Sequence, residues 1–468
     1  MAAIELSARI AAQEASVDGI CWTFSPMVDV SRDPRWGRVS EGSGEDPYLG
    51  SRVAEAMVRG YQGPILSCAK HFALYGASEA GRDYNTVDMS RIRMYNDYFP
   101  PYKAAVDAGV ASVMASFNEI DGIPATGNKW LLTDVLRDQW GFQGFVQKLK
   151  TALKKGLVSM NDIDTACRRI LEAKYKLGLF SDPYKFCRPE EASQVVYCQG
   201  YRDVARRIAS ESFVLLKNDG VLPLKKQGTI GLVGPLADTR SNMPGTWSVA
   251  ARLDVPKTIR EGLVEAVAGK AMVLYAKGSN LVSDYDLEMR STMFGRELGR
   301  DHRTDKQLLD EALAVARSSD VIIAALGESS EMSGESSSRT DISIPDVQKE
   351  LLKALVATGK PVVLLLFNGR PLTLNWEAEN VPAILDVWFG GSETADAVGS
   401  TTRPVRELKG FQKIYLEPGE SKIVSFEITP ELMSHYNSEL KFVAEPGEFI
   451  IFVGTDSETR NSSSFTLR

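Results

Sequence analysis

The sequence predicts an α/β protein in three parts, and three observations carry that reading. Short apolar runs alternate with helical text through residues 1–180. A second alternating series, with almost wholly apolar strands, fills residues 200–400. From about residue 401 the text turns to alternating apolar and polar residues with proline-glycine turns. Strand-helix alternation implies a parallel sheet or a barrel, and the last pattern implies antiparallel pairs.

The first part opens on Met1 and the amphipathic AAIELSARIAAQEA, which lacks the basic start and apolar core of a signal peptide. Its candidate strands are ICWTFSP from Ile20, PILSCAKH from Pro64, ASVMASF from Ala111 and GFV from Gly144. Helices are expected around Asp97 to Ala108 and Leu131 to Gln139. From Gln147 the text becomes a basic amphipathic helix with Leu149 and Leu153 four apart, yet no turn residue or N-cap stands between Val146 and Gln147. A linker and helix follow over 181–210, punctuated by Pro183 and Pro189.

The second part, 211–400, carries TIGLVG from Thr229, AMVLYAKG from Ala271, DVIIAALGE from Asp320, PVVLLLFNG from Pro361 and AILDVWFGG from Ala383. Runs this apolar suit strands covered on both faces, so a five-stranded, mostly parallel sheet is expected. DKQLLDEALAVARSS and PDVQKELLKALVATG read as its helices, with Pro345 at a helix start. Glu328 and the loop after it leave a strand at the carboxyl edge, where open α/β sheets bind ligands. In the last part, 401–468, KIVSFEI and FIIFVG read as strands, with about four strands in all, few for a complete sandwich.

A chain of 468 residues suggests about three domains. A net charge of −7 argues against a general nucleic-acid binder. No run of 18 apolar residues occurs, so no membrane span is expected. Five cysteines without CxxC spacing and three histidines argue against a metal site, and no cofactor is called for. Free thiols are the plain reading; a Cys187–Cys198 disulfide is the alternative for an exported chain.

Three stretches could carry chemistry. DVSRDPRWGRVSEGSGEDPYLG, from Asp29, packs Arg32, Arg35, Arg38, Trp36 and several carboxylates into one loop. Arginines hold hydroxyls or carboxylates in fixed geometry, but such a loop is equally able to be stapled by its own salt bridges. In CAKHFALYG, Lys70 and His71 end a strand, where barrel enzymes place reactive groups; a structural pair is the other reading. GESSEMSGESSSRTD, from Gly327, places Glu328, Glu331 and Glu335 in a Ser- and Gly-rich loop. It can deliver a carboxylate across a domain boundary or simply be solvated.

Taken together these stretches resemble glycoside hydrolase family 3. FSPMVDVSRDPRWGRVSEGSGEDPYLG, KHFALYG, YNTVDMS, PPYKAAVDAG and LLTDVLRDQWGFQGF carry the likeness in the first part. ESFVLLKNDGVLPL, VGPLAD, SSRTDISIP, TGKPVVLLLFNGRPL and RPVRELKGFQKIYLEPGES continue it in the family's order. The resemblance implies an incomplete (β/α)8-type barrel, an α/β sandwich and a partial fibronectin-type-III-like β-sandwich. It also implies exo-hydrolysis of β-linked glucose from non-reducing ends with retention, on β-glucosides or short β-gluco-oligosaccharides, in proteins that are periplasmic or secreted. By resemblance Glu335, in SGESSSR, is the acid/base, and Arg38, Lys70 and His71 hold the sugar's hydroxyls; Arg339 receives no role.

The same resemblance accounts for the abrupt junction at Gln147. After GFQGFV the family continues with a Ser-Asp segment whose aspartate is the nucleophile, and no such segment follows here. KLKTALKKGLVSMNDIDTACRRILEAKYKLGLFSDPY resembles family text some tens of residues further on, so the junction reads as the seam of a deletion. Two similar losses are expected: an early sugar-binding aspartate before Met1, and text after about Thr401. Under 190 residues remain for a barrel that usually takes about 250. The expectation is a β-glucosidase-like chain impaired in catalysis. The alternatives are a replacement nucleophile within Asp29 to Asp46, or a non-catalytic carbohydrate-binding or scaffold protein.

Overall fold

The computed structural model describes residues 1–147, 160–290, 299–399, 420–433, 435–436, 442–444, 447–454 and 461–467. In the first part, β1 (Cys68–Phe72), β2 (Ser112–Ala115), the short hairpin β3 (Glu119–Ile120) and β4 (Ile123–Pro124), and β5 (Phe145–Gln147) follow in chain order. Strands β1, β2 and β5 form a parallel sheet in that spatial order. The helix Pro47–Tyr61 starts on Asp46, whose side chain accepts from the Leu49 N–H, with Pro47 at its first position. It buries Ala54 and Val58, the helix Pro100–Asp107 buries Tyr102 and Ala105, and Trp130–Gln139 buries Leu131, Val135 and Leu136. All join one core with Ala69, Phe72 and Val113 of the sheet.

Two expectations for this part are corrected. ICWTFSP is not a regular strand. The chain from Trp22 to Met27 follows Leu66 and β1 through isolated parallel bridges, Trp22 to Leu66 and Met27 to Lys70. Pro26 has no N–H to give a ladder, which breaks the run. Gln147 ends β5 opposite Met114 rather than starting a helix, and the expected helix beyond it, with Leu149 and Leu153, lies outside the described residues.

Among the described residues the second part has six strands where five were expected. They are β6 (Val214–Asn218), β7 (Gly228–Val233), β8 (Ala271–Ala276), β9 (Val321–Gly327), β10 (Val362–Phe367) and β11 (Ala383–Asp386), in the order β6-β11-β10-β9-β7-β8. Five are parallel, and the additional β6 pairs antiparallel with β11. All of β10 is buried, whereas Val214, Leu215 and Leu216 of β6 stay largely exposed at the edge. Helices Ile259–Val267 and Asp305–Arg317 both begin with capping boxes, Thr258 with Glu261 and Thr304 with Gln307. Pro345 occupies the N-cap of Asp346–Val356.

In the last part β12 (His435–Tyr436) pairs with β13 (Phe442–Val443), and β14 (Gly447–Phe452) with β15 (Ser462–Leu467), both antiparallel. FIIFVG therefore supplies most of β14. KIVSFEI, by contrast, is not a strand: alternation favours a strand only where a partner lies alongside, and none pairs with it among the described residues. The five cysteines are free, so the Cys187–Cys198 disulfide does not form. Among the described residues no helix is long and apolar enough to cross a membrane.

Candidate active site

Lys70 and His71 are neighbours in β1, and regular strand neighbours point to opposite faces. Here the register shifts: Lys70 pairs with Met114 and Phe72 with Ala115, so His71 is an extra residue in a bulge. Bulges re-aim side chains and recur beside active sites. Arg38 comes from the short turn Gly37–Glu41, within the arginine-rich loop. Glu335 comes from the other domain, on the loop that leaves the carboxyl end of β9.

The structure brings these four together. Arg38, 2% exposed at its side chain, places Nη1 3.9 Å from Glu335 Oε2. Its Nε and Nη2 donate to Glu41 Oε1 and Oε2 at 2.7 and 3.0 Å. Lys70 Nζ stands 3.6 Å from the same Glu41 carboxylate. Trp247, from the second domain, covers both cations, with its ring centroid 5.5 Å from Arg38 and 5.7 Å from Lys70. Burial opposes charge on Glu41, but the hydrogen bonds and charge of Arg38, helped by Lys70 and Trp247, hold its carboxyl below the ordinary value. Burial pushes the Lys70 ammonium down while Glu41 resists.

His71 is buried and held from behind by Asp29. Asp29 Oδ2 accepts from the His71 backbone N–H and from Nδ1, both at 2.9 Å. The Tyr102 hydroxyl donates to the other oxygen of Asp29. Burial raises the Asp29 carboxyl, yet the hydrogen bonds from His71 and Tyr102 leave it below its usual value. Burial lowers His71 against the pull of Asp29. An ionised carboxylate only accepts, so the neutral imidazole carries its proton on Nδ1 and leaves Nε2 as an acceptor.

The Glu335 loop is tied to the first domain by backbone and side chain. The Gly334 N–H donates to Gly37 O at 2.7 Å, and the Arg339 N–H to Arg35 O at 3.0 Å. A Cβ on Gly37 would lie 2.2 Å from Gly334 O, so only glycine allows this approach. Asp83 accepts from Trp36 Nε1 at 2.7 Å and from the Ser336 N–H at 2.5 Å. The Tyr84 hydroxyl donates to Glu335 Oε1. Arg339, left without a role by the sequence, donates from Nη1 to the buried Glu328 at 2.7 Å and from Nη2 to Ser343 O at 3.0 Å. Both bonds brace the loop from within the second domain.

The motif text singles out Arg38, Lys70, His71 and Glu335, and the structure brings them together. Glu41 and Asp29 lie in the same arginine-rich loop, but nothing in the text separates them from its other carboxylates. Tyr84 begins the YNTVDMS stretch, whereas Trp247 sits in text with no signal. Among the described residues no group of three or more His, Cys, Asp or Glu could hold a metal ion. The arrangement puts a guanidinium, an ammonium and an imidazole beside the rings of Trp247 and Tyr75, with the Glu335 carboxyl reaching in from the neighbouring domain. That suits a hydroxylated ring and proton transfer to its substituent.

Comparison with known proteins agrees with this architecture. Residues 1–184 match the Glycosyl hydrolase family 3 N terminal domain, 213–401 the Glycosyl hydrolase family 3 C-terminal domain, and 394–457 a Fibronectin type III-like domain. The chain is 36% identical to a periplasmic beta-glucosidase of Salmonella typhimurium, covering 99% of this chain and 82% of that protein. A beta-xylosidase of Formosa agariphila is 28% identical, with 99% and 85% covered. Among solved structures, the beta-glucosidase from Listeria innocua in complex with glucose is 31% identical with a TM-score of 0.74, over 99% of this chain and 84% of that one. A mutant of the Listeria enzyme in complex with laminaribiose is 30% identical with a TM-score of 0.75, over 99% and 84%. The match to the Salmonella protein runs over 631 residues, more than the 468 present here, so it crosses gaps in this chain. The fold is an incomplete (β/α)8-type barrel, an α/β sandwich with a mostly parallel sheet, and a partial fibronectin-type-III-like β-sandwich.

Proposed function

This chain belongs to glycoside hydrolase family 3, and from that membership we propose a β-glucosidase-like site that holds β-glucosides but turns them over poorly. Arg38, Lys70 and His71 grip the hydroxyls of a terminal glucose, and Glu335 protonates the leaving oxygen. The observation that carries this is Glu335 Oε2 standing 3.9 Å from Arg38 Nη1, although the two residues belong to different domains.

Retaining hydrolysis needs a second carboxylate, about 5–5.5 Å from the first, to attack the anomeric carbon. The family's Ser-Asp segment does not follow GFQGFV in this sequence. The gaps crossed by the Salmonella match support a missing segment. Besides Glu335, Asp29 and Glu41 are carboxylates that pair with Arg38, Lys70 or His71. Asp29 is occupied by His71 and Tyr102, and Glu41 is chelated by Arg38. A carboxylate whose lone pairs are so engaged is a weak nucleophile, which disfavours a substitute. Acid catalysis alone contributes roughly 10²–10⁴-fold, far short of the roughly 10⁶-fold or more usual for enzymes.

The test pairs glucose titration by calorimetry with an assay on nitrophenyl β-glucoside, each on the purified chain and on Glu335→Gln. Binding without turnover is expected. Turnover on the order of 1 s⁻¹ or more, abolished in Glu335→Gln, would overturn the impaired site and point to a replacement nucleophile. Absence of binding by glucose and by laminaribiose would overturn the sugar site itself.

A further inference from the structure

Arg370 follows β10 and is wholly buried, yet its guanidinium reaches into both domains. Nε donates to Glu328 Oε1 at 2.9 Å, which fixes the plane of the group against the end of β9. Nη1 serves the first domain, donating to Arg35 O at 2.8 Å with Pro34 O and Trp36 O at 3.3 and 3.4 Å. Nη2 serves the Glu335 loop, donating to Met332 O at 2.6 Å and Ser337 O at 2.8 Å. The carbonyls on Nη1 immediately precede the Gly37–Glu41 turn that carries Arg38, and those on Nη2 bracket Glu335.

We propose that Arg370 is the positioning residue that sets Glu335 in register with Arg38 across the domain boundary. The proposal rests on the reading of Glu335 and Arg38 as parts of one site, but not on turnover. A planar fork with five donors can hold two backbones and a carboxylate at fixed angles, whereas an ammonium offers three donors at one point and cannot span both. Glu328 balances the buried charge, so the clamp stays cationic inside the protein. Arg370 touches none of the sugar-facing atoms, and its effect passes wholly through the two loops.

Hydrogen exchange read by mass spectrometry on the full chain without ligand tests this. In Arg370→Lys the amides of Gly334, Ser336 and Arg339, which bond across the boundary, should exchange roughly tenfold faster or more. Amides within β9 and β10 should keep their protection. In Arg370→Ala, low millimolar guanidinium should restore protection at those three amides, a rescue that general loss of stability would not show. Unchanged exchange at 334–339, equal loss throughout β9 and β10, failure of Arg370→Lys to fold, or no rescue would each overturn the proposal. Failure of the chain to bind both glucose and laminaribiose would sink the functional reading and leave this result standing.

Discussion

Replacing Glu41 by glutamine isolates the group that holds the two buried cations Arg38 and Lys70. Glu41 accepts two hydrogen bonds from Arg38, at 2.7 and 3.0 Å, and lies 3.6 Å from Lys70. Its side chain is 9% exposed and that of Arg38 2%, so solvent screens the pair little. Glutamine keeps one acceptor and turns an N–H₂ toward the guanidinium. Breaking a buried pair by removing one partner costs about 3–5 kcal/mol, and the retained acceptor argues for the lower end, about 3 kcal/mol. For a domain of 150–250 residues, 1 kcal/mol moves the melting temperature by roughly 2–4 °C, so the first-domain transition should fall by about 6–12 °C. The pH dependence has a definite sign. Burial lowers the Lys70 pKa from 10.5, and Glu41 opposes that shift. A group with a depressed folded pKa contributes stability above its unfolded pKa and loses it as pH falls through the folded one. Without Glu41 the folded pKa drops further, so the deficit of Glu41→Gln is largest where Lys70 is charged and shrinks as pH rises toward 10.5. Calorimetric melts of both proteins across roughly pH 7–10 read this directly. A variant melting within about 1 °C of the parent at every pH, or a deficit that grows with pH, would refute the reasoning.

Other perturbations separate the remaining contacts. Asp29→Asn should cost about 1–3 kcal/mol, because one amide oxygen cannot accept from His71 and Tyr102 together; an unchanged denaturant midpoint would contradict this. Since the Asp29 carboxyl sits below its usual 3.8, its contribution is present above that pH and lost as pH falls through the folded pKa, so the variant should show a flatter acid limb. Tyr84→Phe removes only a half-exposed hydrogen bond to Glu335 and should change stability by about 1 kcal/mol or less, measured by urea titration. Limited trypsin digestion should cut within residues 1–180 before 210–400, because an incomplete barrel leaves a sheet edge and apolar faces uncovered; equal resistance would mean that the edge is covered, for instance by a second copy.

The second domain is the most legible part of the fold. Runs such as PVVLLLF and DVIIAAL are apolar at nearly every position because both faces of the sheet are covered. Strand β6 is hard to see for the opposite reason: Val214 to Leu216 lie on an antiparallel edge, mostly in solvent. ICWTFSP misleads because apolar content says nothing of the missing N–H at Pro26. At the site, Arg38, Lys70, His71 and Glu335 are reached through motif text, not through any local pattern. Their meeting across nearly 300 positions is a property of packing. Glu41 cannot be separated from Glu45 or Asp46 without knowing which carboxylate the turn Gly37–Glu41 aims at Arg38. Trp247 lies in an irregular segment, held by bonds such as Thr246 to Ser330 O, where no periodicity marks a side chain for the site.

The approach of Gly37 to Gly334 has a consequence for heredity. The two codons lie far apart in the coding sequence, yet the peptide units they specify meet where a Cβ on Gly37 would stand 2.2 Å from Gly334 O. Any missense change at codon 37 adds at least that carbon and pushes the two loops apart, whatever the chemistry of the new side chain. A variant there would keep each domain's own core and lose the alignment between Arg38 and Glu335. Compensation would have to come as a backbone shift in the other domain, which no single substitution readily supplies. The position therefore behaves as a tether between two otherwise separable stretches of the gene, and exchanging either domain with that of a relative requires the two loops to be inherited as a pair.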